Sequence, residues 1–169
     1  MEIRALRPSD DRSAFQSGDE SLDRFFRKYA GQNQFRHYLG VTYVVVDDRR
    51  VLGFATLAPG QLDVEELPAA TRKKLPRYPL PILRVARLAV DQSAQSQGLG
   101  TQLLRFVCRL AGKMADDYGC TGVVVDAKPE AVNFYAKYGF VPFEGLEGQS
   151  EARPRPTMMF LAMRAIKAT

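Results

Sequence analysis

The sequence predicts an α/β fold built on a mixed sheet with helices on both faces. Three observations carry that reading. β-rich runs and amphipathic helical segments follow one another as strand, helix, hairpin, strand, helix, strand, helix, strand, strand, an order that a doubly wound parallel sheet does not give. Val41 to Val46 and Val51 to Leu57, joined by Asp47-Asp48-Arg49-Arg50, form a hairpin. A strand ending at Val90 passes through a short loop with two glycines into a long amphipathic helix. The chain has 169 residues, which makes one domain, 1–169, the natural expectation.

Taken in order, Ile3 to Leu6 is a short strand ending at Pro8. After the polar stretch Ser17 to Ser21, a helix is expected from Leu22 to Phe35, with Leu22, Phe25, Phe26 and Tyr29 on its apolar face and Arg24, Arg27 and Lys28 in water. The hairpin follows. From Pro59 to Pro81 the chain is proline-rich and basic, with room for a short helix near Leu62, Val64 and Leu67. Ile82 to Val90 is a strand. The next helix carries Leu103, Val107, Leu110 and Met114 on one stripe and Arg105, Arg109 and Lys113 on another, and Gly119 suits its C-cap. Gly122 to Asp126 is a buried strand, Pro129 to Lys137 a short helix, and Phe140 to Phe143 and Thr157 to Met163 are strands. Gly145 to Pro156 reads as a polar loop.

The loop Gln95-Ser96-Gln97-Gly98-Leu99-Gly100-Thr101 presents backbone N–H groups at the positive end of a helix, an arrangement suited to a pyrophosphate. It is not a P-loop, because no Lys stands after Gly98 or Gly100 at the required spacing. It is not a Rossmann turn, because Leu103 occupies the place of the third glycine. The pattern Gln-x-x-Gly-x-Gly resembles the acetyl-CoA loop of the GNAT superfamily of N-acetyltransferases. The other reading of these residues is a plain strand-to-helix turn.

The resemblance implies a single-domain GNAT fold, with a mixed, mostly antiparallel sheet, and acetyl-CoA as cosubstrate without a metal. Amides around Gln97 to Thr101 would hold the diphosphate, and the backbone of Leu88-Ala89-Val90 would pair with the pantetheine arm. It also implies a helix bearing Phe-Tyr before Gly-Phe, here Phe134-Tyr135 before Gly139-Phe140. Phe134 would lie against the cosubstrate, and the Tyr135 hydroxyl would protonate the departing thiolate. An ordinary phenol near pKa 10 is about matched to that task. Without the resemblance, Tyr135 reads as a core aromatic with its hydroxyl at the rim. The family often carries Asn where Lys128 stands, which removes one expected side-chain contact to pantetheine.

No acidic residue or histidine stands out as a general base, and His37 lies outside every motif. An α-amine, near pKa 7.7–8.0, is partly neutral at pH 7, whereas a lysine near 10.4 is not. A base-poor site therefore suits α-amines.

The composition, 46% hydrophobic and 25% charged, is that of a globular domain, and no apolar run approaches the ~20 residues of a membrane span. Two cysteines, Cys108 and Cys120, and one histidine make neither a disulfide framework nor a zinc site. With charge already at Glu2 and Arg4 and no apolar leader, a reduced, cytoplasmic protein is expected. The formal charge is +5, which fits a polyanionic partner but also fits CoA itself.

Leu22-Asp23-Arg24-Phe25-Phe26, Ala30-Gly31-Gln32, Leu75 to Pro81, Arg87 to Asp91 and Val125-Asp126-Ala127 narrow the resemblance to the acetyltransferase toxins of toxin–antitoxin pairs, over about Phe15 to Met163. That branch implies acetylation of the α-amino group of aminoacyl-tRNA, arrest of translation, a ribbon-helix-helix antitoxin and a homodimer. On this reading Arg72, Lys73, Lys74 and Arg77, with parts of the Arg24 to Arg36 helix, are candidate phosphate contacts. Otherwise they are a solvated face. A GNAT enzyme acting on a small amine, a peptide N-terminus or a lysine is the alternative, and a non-catalytic CoA-binding or interaction module a more distant one.

Overall fold

Alternating apolar residues form the strands, and the computed structural model arranges seven of them in the sheet order β1-β2-β3-β4-β5-β7-β6. It describes residues 1–144 and 155–169. These fall into two compact units, 1–58 with 85–109 and 59–84 with 110–169.

In the first unit β1 (Glu2–Ala5) pairs antiparallel with β2 (Val41–Asp47), and β2 pairs antiparallel with β3 (Arg50–Leu62), which runs on past Ala58 into the second unit. Asp48 and Arg49 both hold positive φ, 48° and 71°, as the tight turn of a right-twisted hairpin requires. Helices α1 (Glu20–Lys28) and α2 (Ala30–Phe35) replace the single helix expected from Leu22 to Phe35. Asp19 caps α1 by accepting from the N–H groups of Ser21 and Leu22, so the helix starts before Leu22. It breaks at Tyr29 (φ −117°), where the Phe26 carbonyl accepts instead from the Arg12 guanidinium at 2.9 Å. The core is aromatic: Phe26 stacks on Phe54 with centroids 4.4 Å apart, and Phe15 meets both rings edge-on. Val44, Val46, Val51 and Ala89 close round them.

In the second unit, 3₁₀ residues Val64–Glu66 and helix α3 (Ala69–Arg72) occupy the proline-rich stretch, as its few apolar residues suggested. Strand β4 (Leu80–Val90) begins here and ends in the first unit. Helix α4 (Leu99–Asp117) begins in the first unit and ends in this one; it buries Leu103, Val107 and Met114 and exposes Arg105, Arg109 and Lys113, as the periodicity requires. It ends at Gly119 (φ +108°), whose N–H, like that of Tyr118, reaches the Met114 carbonyl. Strand β5 (Gly122–Ala127) pairs antiparallel with β7 (Thr157–Ala162), and β7 with β6 (Val141–Phe143). Between them, 3₁₀ residues Pro129–Ala131 lead into α5 (Val132–Lys137). A short helix α6 (Met163–Lys167), which the periodicity did not reveal, follows β7. Leu62, Leu80, Ile82, Val124, Phe143 and Phe160 form this unit's core. The polar loop expected over Gly145 to Pro156 lies, but for its last two residues, outside the described residues.

Two stability predictions arise here. A Cβ at Gly122 would run into the Leu161 carbonyl and sit 2.6 Å from the Phe160 ring. Gly122→Ala should therefore lower stability by about 2–3 kcal/mol, read as a fall in the urea midpoint; an unchanged midpoint would refute the packing described. Asp10 accepts from Arg4 at 2.8 and 2.9 Å and from the Arg7 N–H. The Arg4 hydrogen bonds outweigh partial burial and hold its carboxyl below the usual range. Its stabilising effect is thus complete above the unfolded pKa of about 3.9 and is lost as pH falls through the lower folded value. Asp10→Asn should destabilise the protein at neutral pH and flatten its acid unfolding below about pH 4; equally steep acid unfolding in the variant would count against the pairing.

Candidate active site

The glycine loop lies in the first unit, between β4 and α4. Ser96 (φ +65°) and Gly98 (φ +80°) both adopt the left-handed conformation, so successive amides turn towards one side and form a concave cradle. A Cβ at Gly98 would meet nothing within 4 Å, leaving the cradle open for backbone approach by an anion. The first intrahelical bond at this end runs from the Gln102 N–H to the Gly98 carbonyl. By helix geometry the amides of Leu99, Gly100 and Thr101 have no acceptor further back in α4. The helix is 19 residues long, and its dipole adds to the attraction for a diphosphate. Ser96, Gln97 and Gly98 are exposed, whereas Leu99 is buried and anchors the turn.

The loop is held from behind. Gln95 donates from Nε2 to the Ser17 carbonyl at 2.8 Å and to the Val90 carbonyl at 3.0 Å. Gln95 thereby braces the end of β4. Asp91 accepts from the Gln16 N–H at 2.9 Å and from the Ser93 hydroxyl at 2.6 Å. Burial alone would raise the Asp91 pKa, but these bonds, the Ser93 N–H and the charge of Arg50 outweigh it and hold the carboxyl below its ordinary value. Asp23, also buried, takes the Ser17 N–H and hydroxyl. Sequence reading missed the part these carboxylates play, because the backbone N–H groups they take at Gln16 and Ser17 leave no mark in their own neighbourhood. Leu88, Ala89 and Val90 form the last turn-free stretch of β4, with Ala89 buried and its neighbours half-buried.

In the second unit α5 carries Phe134 and Tyr135. Tyr135 is 5% exposed, with Phe134 and Phe140 edge-on to its ring at centroid distances of 5.1 and 5.4 Å. Phe134 is half-buried and also meets Tyr138 at 5.4 Å, consistent with a packing role for Tyr138. Burial first, and then the negative charge of Asp126, push the Tyr135 phenol well above its ordinary value. The match to a thiolate expected from an unperturbed phenol is therefore altered. The hydroxyl holds its proton across the whole neutral range, and releases it only to a strong base. Asp126, at the end of β5, is itself gripped by Arg84 of β4, whose Nη2 lies 2.9 and 3.2 Å from the two carboxylate oxygens.

Arg72, Lys73, Lys74 and Arg77 are exposed on and just after α3, and none pairs with a carboxylate among the described residues. His37 is exposed in the turn after α2. Lys128 precedes the 3₁₀ turn before α5 and gives its carbonyl to the Ala131 N–H. Among the described residues no group of three or more His, Cys, Asp or Glu could hold a metal ion, and no helix is long and apolar enough to cross a membrane.

A strand, an open anion cradle on a long helix, and a buried neutral phenol on the next helix are the parts an acyl-CoA transferase needs. Comparison with known proteins agrees. Residues 39–142 match the acetyltransferase (GNAT) domain. The chain is 36% identical over 140 residues to the tRNA-acetylating toxin of Mycobacterium tuberculosis (strain ATCC 25618 / H37Rv), covering 81% of this chain and 82% of that protein. Among solved structures, AtaT complexed with acetyl-methionyl-tRNAfMet superposes with a TM-score of 0.84 at 26% identity, over 99% of this chain and 97% of that one. A tyrosine-to-phenylalanine mutant of AtaT, bound to the C-terminus of the antitoxin AtaR and to acetyl-CoA, gives 0.78 at 26% identity, over 99% and 96%. With more than half of its length matched by the family's domain and a relative above 30% identity across four-fifths of it, this chain belongs to the GNAT family of acetyltransferases.

Proposed function

We propose that this chain transfers the acetyl group of acetyl-CoA to the α-amino group of aminoacyl-tRNA, and that it acts thereby as a toxin that blocks translation. The observation that carries the acceptor is the likeness, over four-fifths of the chain, to a tRNA-acetylating toxin. The neutral, buried Tyr135 phenol supports the chemistry. An acetylated α-amine can no longer form a peptide bond, which links the reaction to arrested synthesis.

The cradle formed by Ser96, Gln97, Gly98, Leu99, Gly100 and Thr101 would hold a diphosphate through backbone amides at the N-terminus of a long helix, with open space at Gly98 for its approach. Leu88, Ala89 and Val90 would offer backbone groups to the pantetheine arm, and Phe134 an apolar contact. Acetyl-CoA, when bound, supplies an activated thioester. Tyr135 retains its proton until sulfur leaves as a strong base, then gives it up. An α-ammonium near pKa 7.7–8.0 provides enough neutral amine at pH 7 without a dedicated base. Residues 1–169 act as a single acetyltransferase domain in this reading. The protein works in the cytoplasm, as a homodimer restrained by an antitoxin of ribbon-helix-helix type; an antitoxin accompanies the similar AtaT.

The direct test supplies labelled acetyl-CoA with charged tRNA, uncharged tRNA and a mixture of lysine peptides. Label should appear on charged tRNA alone, and its rate should fall by about a hundredfold or more in Tyr135→Phe. Label on peptides or small amines, with none on charged tRNA, would replace the acceptor by an ordinary amine. Unchanged turnover in Tyr135→Phe would remove Tyr135 from the chemistry. A second measurement addresses the exposed cations. If Arg72, Lys73, Lys74 and Arg77 contact phosphates, neutralising any one should reduce the slope of log affinity for tRNA against log salt by about one. Slopes identical to wild type in all four variants would make this surface a solvated face.

A further inference from the structure

A cleft in the first unit, of about 560 Å³, has no task yet given to it. Glu20, Ser21, Arg24, Phe25 and Tyr29 line it from the α1 segment, and Arg87 lines it from β4. Its volume lies within the range of about 300–1,000 Å³ common to small-ligand sites. Phe25 is buried, and the Arg87 guanidinium lies over its ring, 3.8 Å from the centroid. Tyr29, expected on the apolar face of one continuous helix, is instead 41% exposed, because α1 ends there and the chain leaves the helical stripe. From Arg24 to Val46 the chain has four cations, Arg24, Arg27, Lys28 and Arg36, and no Asp or Glu. Arg27 is committed to the Phe15 carbonyl at 2.9 and 2.7 Å. Arg24, Lys28 and Arg36 are exposed, and none pairs with a carboxylate among the described residues.

Two guanidinium groups, an exposed aromatic ring and a carboxylate suit one unpaired nucleotide: cations for its phosphate, a flat ring for its base, an acceptor for a ribose hydroxyl. A partner helix would instead need an apolar groove, and three of the six lining side chains, Glu20, Arg24 and Arg87, carry charge. The position agrees. Arg87 directly precedes Leu88-Ala89-Val90, the stretch of β4 proposed to pair with the pantetheine arm. A strand rises about 3.3 Å per residue, so the cleft begins within a residue or two of that stretch. In an aminoacyl-tRNA the amino acid is esterified to the ribose of the terminal nucleoside. A nucleoside seated beside Arg87 would therefore bring its amine close to the arm that carries the acetyl group.

We propose that this cleft holds the 3′-terminal nucleotide of the acceptor RNA: its base stacks on the Tyr29 ring, and Arg24 and Arg87 take its phosphate. The inference rests on the aminoacyl-tRNA reading above and names the part of that substrate recognised beside β4. Glu20 accepts a hydrogen bond from a ribose hydroxyl. Every base has a π-face, so stacking on Tyr29 recognises an unpaired end without reading its sequence. Arg87, already held over Phe25, needs little ordering to meet a phosphate, whereas the exposed Arg24 is ordered only when the RNA arrives.

The test measures binding of uncharged tRNA, which requires no acetyl transfer. At one fixed salt concentration the full chain is titrated with intact tRNA and with the same tRNA shortened by its 3′-terminal nucleotide. Wild type should bind the intact form about tenfold more tightly. In Tyr29→Ala the two forms should bind within about twofold of each other, while Tyr29→Phe, which keeps the ring, should retain the preference. Arg24→Gln should reduce the slope of log affinity against log salt by about one for intact tRNA and leave it unaltered for the shortened form. Equal affinity of wild type for the two forms overturns the proposal, whether or not any variant folds. So does a Tyr29→Ala variant that keeps the tenfold preference. Loss of acetyl-CoA affinity in Tyr29→Ala, with the tRNA preference intact, would give the cleft to the cosubstrate's own adenine and overturn it equally. Failure of the aminoacyl-tRNA reading shows as absent label on charged tRNA. Failure here shows as label on charged tRNA with no difference between the two forms.

Discussion

The end of β4 has to stay fixed for anything else at the cradle to work, and Asp91 is the group that fixes it. Its carboxylate gathers the Gln16 N–H, the Ser93 N–H and the Ser93 hydroxyl, while its own N–H goes to the Leu52 carbonyl. One buried residue thereby ties the segment after β1, the start of β3 and the residues leading into the glycine loop to a single point. Gln95 repeats the device from the other side, joining Ser17 to Val90, and Asp23 holds Ser17 from below. A buried acceptor left unsatisfied costs about 1–3 kcal/mol, so each of these bonds resists loosening of the others. The left-handed conformation of Ser96, which by itself is strained for a residue with a Cβ, is sustained inside this frame.

The second consequence of burial is chemical. Around Tyr135 the rings of Phe134 and Phe140 replace water, and a phenol in such surroundings does not ionise. It is therefore present as a proton donor in every molecule at neutral pH, at the expense of acidity. That trade is acceptable only where the acceptor of the proton is a strong base formed during the reaction, as a departing thiolate is.

Apolar periodicity alone determined the strands, the α4 stripe and the hairpin, because which face of an element is buried depends only on a spacing of two or near four. The glycine loop was legible for a similar reason, since a backbone cradle needs particular φ values and those restrict residue type locally. Tyr135 was legible through resemblance, and its place in α5 follows from its neighbours. The extent of the first helix was not legible. Its early start depends on Asp19, and its interruption on Arg12, a residue 14 positions from the carbonyl it takes.

What only the tertiary structure decided are the pairings between groups remote in the chain. Gln95 reads as a motif residue, yet its amide finds Ser17, 78 positions away. Asp126 reads as one acid on a strand, and Arg84, 42 positions earlier, turns it into a fixed charge that acts on Tyr135. Local patterns specify which face is buried and which backbone conformation is allowed. Electrostatic partnership depends on distances of a few ångströms, which are set when strands far apart in sequence come together, and no spacing rule along the chain encodes them.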